Sequence, residues 1–368
     1  MSELNAANLS TPEVREDASW MPGAKLEACP GCKRVFLVPA EKSQQLCPLC
    51  YQANLAPQPS YIRRESPEIV VQAQLNSAAL QQNLESFIEP VPYRLADLTV
   101  ENLVNRAQLV WWPVWLVDAD LQGNWTGTMG FDYQVRTAKE NFGNGGWQSR
   151  STLRTQTRYE QRKGTLNRHY DNIKVPALRS HQKRLEQIGN YESKPSLAYR
   201  DGILGQNSVQ IPEIEPQELL EVAKTHLHSA AEQEIMQANA AQHRQNVKFT
   251  GDYLNPNWTQ LLMPIISSWY KDDEGVTHPI TINGQSGKIY GKPLSSTKQA
   301  SRLTLGLLAI PALLFLALLV VSLVAPNSLP VDSVCSGVIL FFLALIALIP
   351  LFRAHQWNMR ENKIEDFR

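Results

Sequence analysis

The chain has no charge of either sign to spare, because 35 Lys and Arg balance 35 Asp and Glu over 368 residues. That removes the global basic excess of a dedicated nucleic-acid binder, so any charge argument must be local. An even set of cysteines for disulfides is also missing. Four of the five, Cys29, Cys32, Cys47 and Cys50, lie together, and Cys335 sits alone in an apolar run. This points to a metal and a reducing compartment. Met1 to Ala28 is polar, with Glu3, Glu13, Glu16 and Asp17, and shows no cationic start followed by an apolar stretch. No cleavable secretory signal is therefore expected. A Gly-x4-Gly-Lys-Ser/Thr phosphate loop is absent too. The nearest candidate, Gly284-Gln-Ser-Gly287-Lys288, has two residues between its glycines and Ile289 where a hydroxyl is needed, and reads as a hairpin turn. No His/Asp/Ser or Cys/His set stands out, which predicts a protein that is not an enzyme. His226 and His228, two apart on an expected helix, face different ways and are not expected to share a metal. Asp118 and Asp120 could form a carboxylate pair on one strand face, with a solvated turn as the plainer reading.

What the chain does have is two long apolar runs. Leu303 to Val324 holds 22 residues without a charge and Val334 to Phe352 another 19, each long enough to cross about 30 Å of hydrocarbon as a helix. Pro311 and Pro350 are tolerable there as kinks or ends. The connection from Ala325 to Ser333 carries no Lys or Arg, whereas Lys298 and Arg302 precede the first run and Arg353, Arg360, Lys363 and Arg368 follow the second. Positive flanks belong inside, so both termini are expected in the cytosol and the chain in the inner membrane as a multi-pass protein. The reducing compartment inferred from the cysteines agrees with that orientation.

The cysteines fall in the pattern Cys29-x2-Cys32-x14-Cys47-x2-Cys50, the spacing of a structural four-cysteine zinc site. Two tight turns must each aim a pair of thiolates at one ion, and Pro30 with Gly31 and Pro48 supply turn chemistry inside the pairs. The run Arg34 to Val38 reads as the strand of a ribbon hairpin. A redox dithiol is the competing reading of any CxxC, but no βαβ pattern surrounds either pair. With four protein ligands a Zn2+ ion has no open position and serves structure rather than water activation.

In the middle of the chain, Glu68 to Gln74 reads as a strand, Ser77 to Phe87 and Val100 to Leu109 as short helices, and Val110 to Val117 as a buried strand entering a turn at Gly123-Asn124-Trp125. A later segment repeats that scheme: Leu261 to Tyr270, a turn at Asp272 to Gly275, His278 to Ile282, then Lys288 to Gly291. Residues 108–133 and 258–292 thus read as two similar β-meanders, a degenerate internal repeat. Between them, Gln134 to Arg200 carries 14 basic against 5 acidic residues, and Asp201 to Asn246 carries 7 acidic against 2 basic. Such adjacency suggests intramolecular pairing or a partner-facing polarity. A helix is expected over 216–246, with Leu219, Leu220, Ala223, Leu227, Ala231 and Ile235 at helical spacing. The chain therefore reads as α+β: a disordered N-terminus over 1–27, a zinc ribbon over 28–51 and a linker over 52–66. After these come a soluble α+β region over 67–297, transmembrane helices over 303–324 and 334–352, and a cytosolic tail over 353–368.

Cys29-Pro-Gly-Cys32, the strand Trp112-Pro-Val-Trp-Leu-Val-Asp118-Ala119, Asp171-Asn-Ile-Lys-Val-Pro176-Ala177 and Asn283-Gly-Gln-Ser-Gly-Lys-Ile-Tyr-Gly291 before a membrane segment resemble bacterial membrane-anchored zinc-ribbon proteins. These carry a transcription-factor-IIB-type zinc-ribbon or replication-restart-helicase-like label and two C-terminal transmembrane helices. The resemblance covers most of the chain from Ala28 to the first membrane helix. Its helicase label implies little, given the missing phosphate loop. It does imply a membrane adaptor in envelope-stress assemblies, beside phage-shock-protein-A-like or SPFH-type membrane proteins.

The functional expectation is a cytosolic zinc-ribbon scaffold that recruits protein partners to the bilayer. A rival is nucleic-acid binding by Arg150, Arg154, Arg158, Arg162, Lys163 and Arg168, with Tyr159 and Tyr170 able to stack. A spacing of four could equally line those arginines along an exposed helix or beside anionic lipid headgroups.

Overall fold

The computed structural model describes residues 20–58, 66–143, 146–192, 196–324 and 333–361. In chain order the strands are β1 (Lys25–Ala28), β2 (Val35–Val38), β3 (Ala56–Pro57), β4 (Ile69–Val71), β5 (Gln108–Gly143), β6 (Gly146–Val175), β7 (Ser196–Ala198), β8 (Ser208–Gln210), β9 (His243–Lys271), β10 (Thr277–Asn283) and β11 (Ile289–Tyr290). The helices are α1 (Ser77–Ile88), α2 (Val100–Asn105), α3 (His181–Ile188), α4 (Leu220–Ala238), α5 (Thr297–Val324), α6 (Ser333–Ala347) and α7 (Ile349–Glu361). The strands join in one large mixed sheet, and the chain divides into two compact units. The first comprises Met1–Pro113, Ser180–Ile211 and Leu262–Arg368, and the second Val114–Arg179 and Pro212–Leu261.

In the first unit, α1 and α2 start where side chains accept the free N–H groups of a first helical turn. Asn76 accepts from Ala79 N at 2.8 Å and Thr99 from Asn102 N at 3.2 Å. The two helices lay Leu80, Leu84, Ile88 and Leu103 onto Ile266, Tyr270, Ile280 and Ile282 of β9 and β10. The second helix stops at Asn105, earlier than expected, because residues from Gln108 onward belong to β5. Asp97 closes this corner, accepting from both Arg106 nitrogens at 2.7 Å and from Lys271 N at 2.7 Å. The Arg106 guanidinium lies over the Trp269 ring at 4.1 Å, so its charge has a π face as well as a carboxylate. Gly284 to Lys288, expected as a hairpin turn, is a turn between β10 and β11. Asn283 Oδ1 accepts from Gln285 N and Ser286 N, and Gly287 takes φ +75°.

The second unit departs from expectation. No turn occurs at Gly123-Asn124-Trp125; β5 continues to Gly143 and pairs antiparallel with β6 from Trp115↔Val175 to Gly143↔Gly146. Gly123 serves a different purpose, since a Cβ there would meet Thr250 O at 2.4 Å and the Gly251 Cα at 2.6 Å. It marks a close backbone approach of β5 to β9, which a sequence pattern cannot distinguish from a turn glycine. The likeness of 108–133 to 258–292 therefore fails: the latter is a meander of β9, β10 and β11, the former part of one long hairpin. The basic run 150–168 lies on strand β6, not on a helix.

The helix α4 and the turn just before it pack Leu219, Ala223, Leu227, Ala231 and Ile235, each four residues on from the last, against Trp115, Val117, Leu121, Trp125, Met129 and Leu166. This is the stripe expected from sequence, except that Leu220 is exposed. It ends at Ala238 rather than near 246, because Asn239 Nδ2 bonds back to Ile235 O and Gln242 N donates to Gly130 O, which starts β9.

At the C-terminus of the first unit, α5 begins at a doubly held cap: Gln299 N donates to Ser296 Oγ at 2.9 Å, and Ser296 Oγ donates to Asp273 Oδ2 at 2.8 Å. Most of the apolar side chains of α5 and α6, Leu305, Leu313 and Phe341 among them, are exposed, the opposite of a buried core helix. The second run is interrupted at Leu348, and Pro350 lies in the first turn of α7, a position where its missing N–H costs nothing; across that point Gly337–Glu361 remains long and apolar enough to cross a membrane. The expected tail over 353–368 is helical to Glu361, and Trp357 Nε1 donates to Pro293 O at 2.7 Å while Asn358 bonds both the N and O of Ser295. Residues 362–368 and the connection 325–332 lie outside the described residues, as does much of the expected linker. Within that linker, Ala56–Pro57 is β3 and pairs with β1.

Candidate metal centre

Around the cysteines, strand β1 pairs antiparallel with both β2 and β3, and β2 pairs on its other side with β8. Residues 20–24 are described as well, and Trp20 is buried against Tyr199 in an edge-on ring contact of 6.1 Å. Only residues 1–19 of the expected disordered stretch lie outside the described ones.

Each Cys-x2-Cys pair sits on a tight turn. Lys33 N donates to Cys29 O at 2.9 Å, and Tyr51 N donates to Cys47 O at 3.1 Å. In both turns the residue after the second cysteine is left-handed, Lys33 at φ 61° and Tyr51 at φ 54°. That conformation costs a non-glycine residue about 1 kcal/mol or more, and it swings the two thiols of each pair toward one point. The four sulfurs converge: Cys29 Sγ is 3.5 Å from Cys50 Sγ, Cys32 Sγ is 3.8 Å from Cys47 Sγ, and all lie within 4.8 Å of one another. A tetrahedral ion bonded to thiolates at about 2.3 Å would set sulfur-to-sulfur edges of about 3.8 Å. The cluster fits a metal ion of that coordination, with all four positions filled by the protein.

The close approach of the four sulfurs also couples their protons. Hydrogen bonds from Cys47 and Cys50 push the Cys32 thiol well below its usual range, while sharing with Cys32 pushes Cys47 well up and Cys50 up to about 11. Protons alone thus stabilise one thiolate at its neighbours' expense, whereas a divalent cation would favour all four as thiolates. Beneath the site, the fully buried Glu27 carboxylate accepts from Ser43 Oγ at 2.5 Å and Gln44 N at 2.9 Å. The buried Tyr51 reaches Gln108 Nε2 at 3.2 Å, which ties the second turn to the start of β5. Sequence reasoning missed Glu27 and Tyr51. The only signal was their place at the ribbon's ends.

Other expected side chains are not brought together. Asp118 accepts from Asn172 N at 2.7 Å, while Asp120 bonds His169 Nδ1 at 2.6 Å and Asn255 Nδ2 at 3.2 Å, so the two aspartates do not act as a pair. The Asp120 contact raises the His169 pKa above its ordinary value. His228 faces Glu232 at 3.4 Å, on its own helix. Along β6, Arg158 and Arg162 share Glu160 at 2.7 and 2.5 Å, and Arg168 pairs with Glu234 of α4 at 2.7 Å. That last contact is the intramolecular pairing expected between the basic and acidic stretches. Tyr170 also gives its hydroxyl to Glu234 at 2.7 Å, which leaves Tyr159 as the exposed aromatic of the two. A cleft of about 260 Å³ beside Trp20, Pro39 and Tyr199 has Glu41 as the one carboxylate among the described residues that line it.

No protein-family model, curated protein or solved structure matches this chain.

Proposed function

We propose that this chain is a membrane-anchored zinc-ribbon adaptor that holds protein partners at the cytosolic face of the inner membrane. The observation that carries the reading is the convergence of Cys29, Cys32, Cys47 and Cys50 within 4.8 Å, in a chain with two helical stretches, Thr297–Val321 and Gly337–Glu361, long and apolar enough to cross a membrane. Zn2+ suits four thiolates in a tetrahedron, and four protein ligands leave no site for a reacting water. The ion is therefore structural, and the ribbon offers surface rather than chemistry. Lys298 and Arg302 before α5, and Arg353 and Arg360 after the second run, against none in 325–333, favour cytosolic termini. The sequence resemblance to bacterial membrane-anchored zinc-ribbon proteins makes phage-shock-protein-A-like and SPFH-type membrane proteins the partners to examine first.

The test is crosslinking in intact membranes followed by affinity purification in mild detergent. A defined protein partner should copurify with the wild-type chain and be lost with Cys29→Ser/Cys47→Ser. Recovery of the chain alone, together with turnover of a small molecule, would overturn the adaptor reading.

A second reading is nucleic-acid binding, favoured by the placement of Arg154, Arg158, Arg162 and Arg168, an even number of residues apart, on one face of β6. It predicts salt-dependent DNA binding that falls on Arg154→Ala, Arg158→Ala and Arg162→Ala. Binding that is absent at low salt removes it.

A further inference from the structure

The β5–β6 hairpin runs well past the body of its unit. Strand β9 starts at His243, beside Gly130, so the described residues from Tyr133 onward and up to Gln156 form a ribbon of only two strands. An isolated two-stranded ribbon is marginal in water. At its far end Phe142 and Trp147 face each other in register, and their rings meet edge to face at 5.4 Å. Both are exposed, at 73% and 72%, and Leu153, on the same face, is 60% exposed. Sheets that stay in water blunt such tips with charge. By sequence, residues 133–156 carry four Lys or Arg against the single acidic residue Glu140, and the Arg136 and Arg154 side chains behind the aromatics are exposed, in a chain that is neutral overall.

We propose that this tip is a peripheral membrane-contact site, in which Phe142 and Trp147 enter the interfacial layer of a bilayer carrying anionic lipid and the arginines behind them meet its headgroups. Aromatic rings prefer that layer, where one side is apolar and the other wet. The charge behind them complements an anionic surface. Single-stranded nucleic acid is the weaker match, because bases stack on open ring faces, whereas these two rings close on each other as one apolar knob. The inference stands apart from the adaptor reading and does not involve the cysteines.

The experiment uses the full chain in zwitterionic nanodiscs, mixed with vesicles of phosphatidylcholine alone or with phosphatidylglycerol and separated by flotation. The chain should float with the anionic vesicles only, and less as salt rises. Phe142→Ser/Trp147→Ser should lower partition at least about tenfold, and Arg136→Gln or Arg154→Gln about fivefold each. All these side chains are solvent-facing, and unchanged metal content and thermal midpoint would show that the variants remain folded. As a second readout, brominated lipid should quench wild-type emission more than that of Trp147→Phe. Equal flotation of wild type and the tip variants overturns the proposal. So does a chain that ignores anionic vesicles but binds single-stranded or duplex DNA through these residues.

Discussion

Single residues set the geometry of the ribbon at a cost in strain. Lys33 and Tyr51 adopt φ of 61° and 54° without being glycine, and Lys33 is the position where the strain can be relieved with least disturbance. Lys33→Gly should raise ribbon stability by up to about 1 kcal/mol and leave metal stoichiometry unchanged, measured as a shift in thermal midpoint alongside elemental analysis. Cys47→Ser should abolish metal retention, since Cys47 is fully buried and its sulfur has the sulfurs of Cys32 and Cys50 around it. Asp97 gives a pH-dependent test. Its hydrogen bonds from Arg106, aided by Lys271 N and opposed by burial, hold its carboxyl below the usual carboxylate range. A depressed folded pKa stabilises above the unfolded value of about 3.9 and loses that contribution as pH falls through the folded value. Asp97→Asn should therefore lower stability by about 1–2 kcal/mol at neutral pH. In thermal unfolding against pH, its gap from wild type should close in acid. A gap that stays constant with pH would sink this assignment.

At the scale of elements, legibility depended on whether a residue pattern has one physical cause or two. The α4 stripe was readable because apolar residues every four positions bury a helix face, and Leu227, 2% exposed, lies at its centre. Leu227→Ala should cost about 2–5 kcal/mol, read in denaturant unfolding. Both long apolar runs were readable from length alone, but the break at Leu348 was not, because Pro350 fits equally well as a kink or as a first-turn residue. Gly123 misled, because a glycine near Asn and Trp suits a turn and also suits two backbones in contact. A methyl group added at this position would lie 2.4 Å from Thr250 O, so Gly123→Ala should push β5 from β9 and destabilise by about 1–3 kcal/mol. At a true turn the same change would be close to neutral. The length of the hairpin had no local signature, since the charges of β6 alternate at a period that serves an exposed strand as well as one face of a helix.

For the whole molecule, the four-cysteine cluster and the apolar helices reside in the same compact unit. Helix α7 returns to the segment preceding α5 through Trp357 and Asn358. Exposed apolar flanks on α5 and α6 would associate or aggregate in water, so the chain should leave the membrane only with detergent. The four thiolates should carry their ion there. The most direct measurement is elemental mass spectrometry on the full chain purified from the membrane fraction. One zinc per chain is expected in detergent-extracted protein and none in Cys29→Ser/Cys47→Ser. A wild-type chain recovered from membranes without zinc, or recovered fully from the soluble fraction, would contradict the zinc-ribbon anchor.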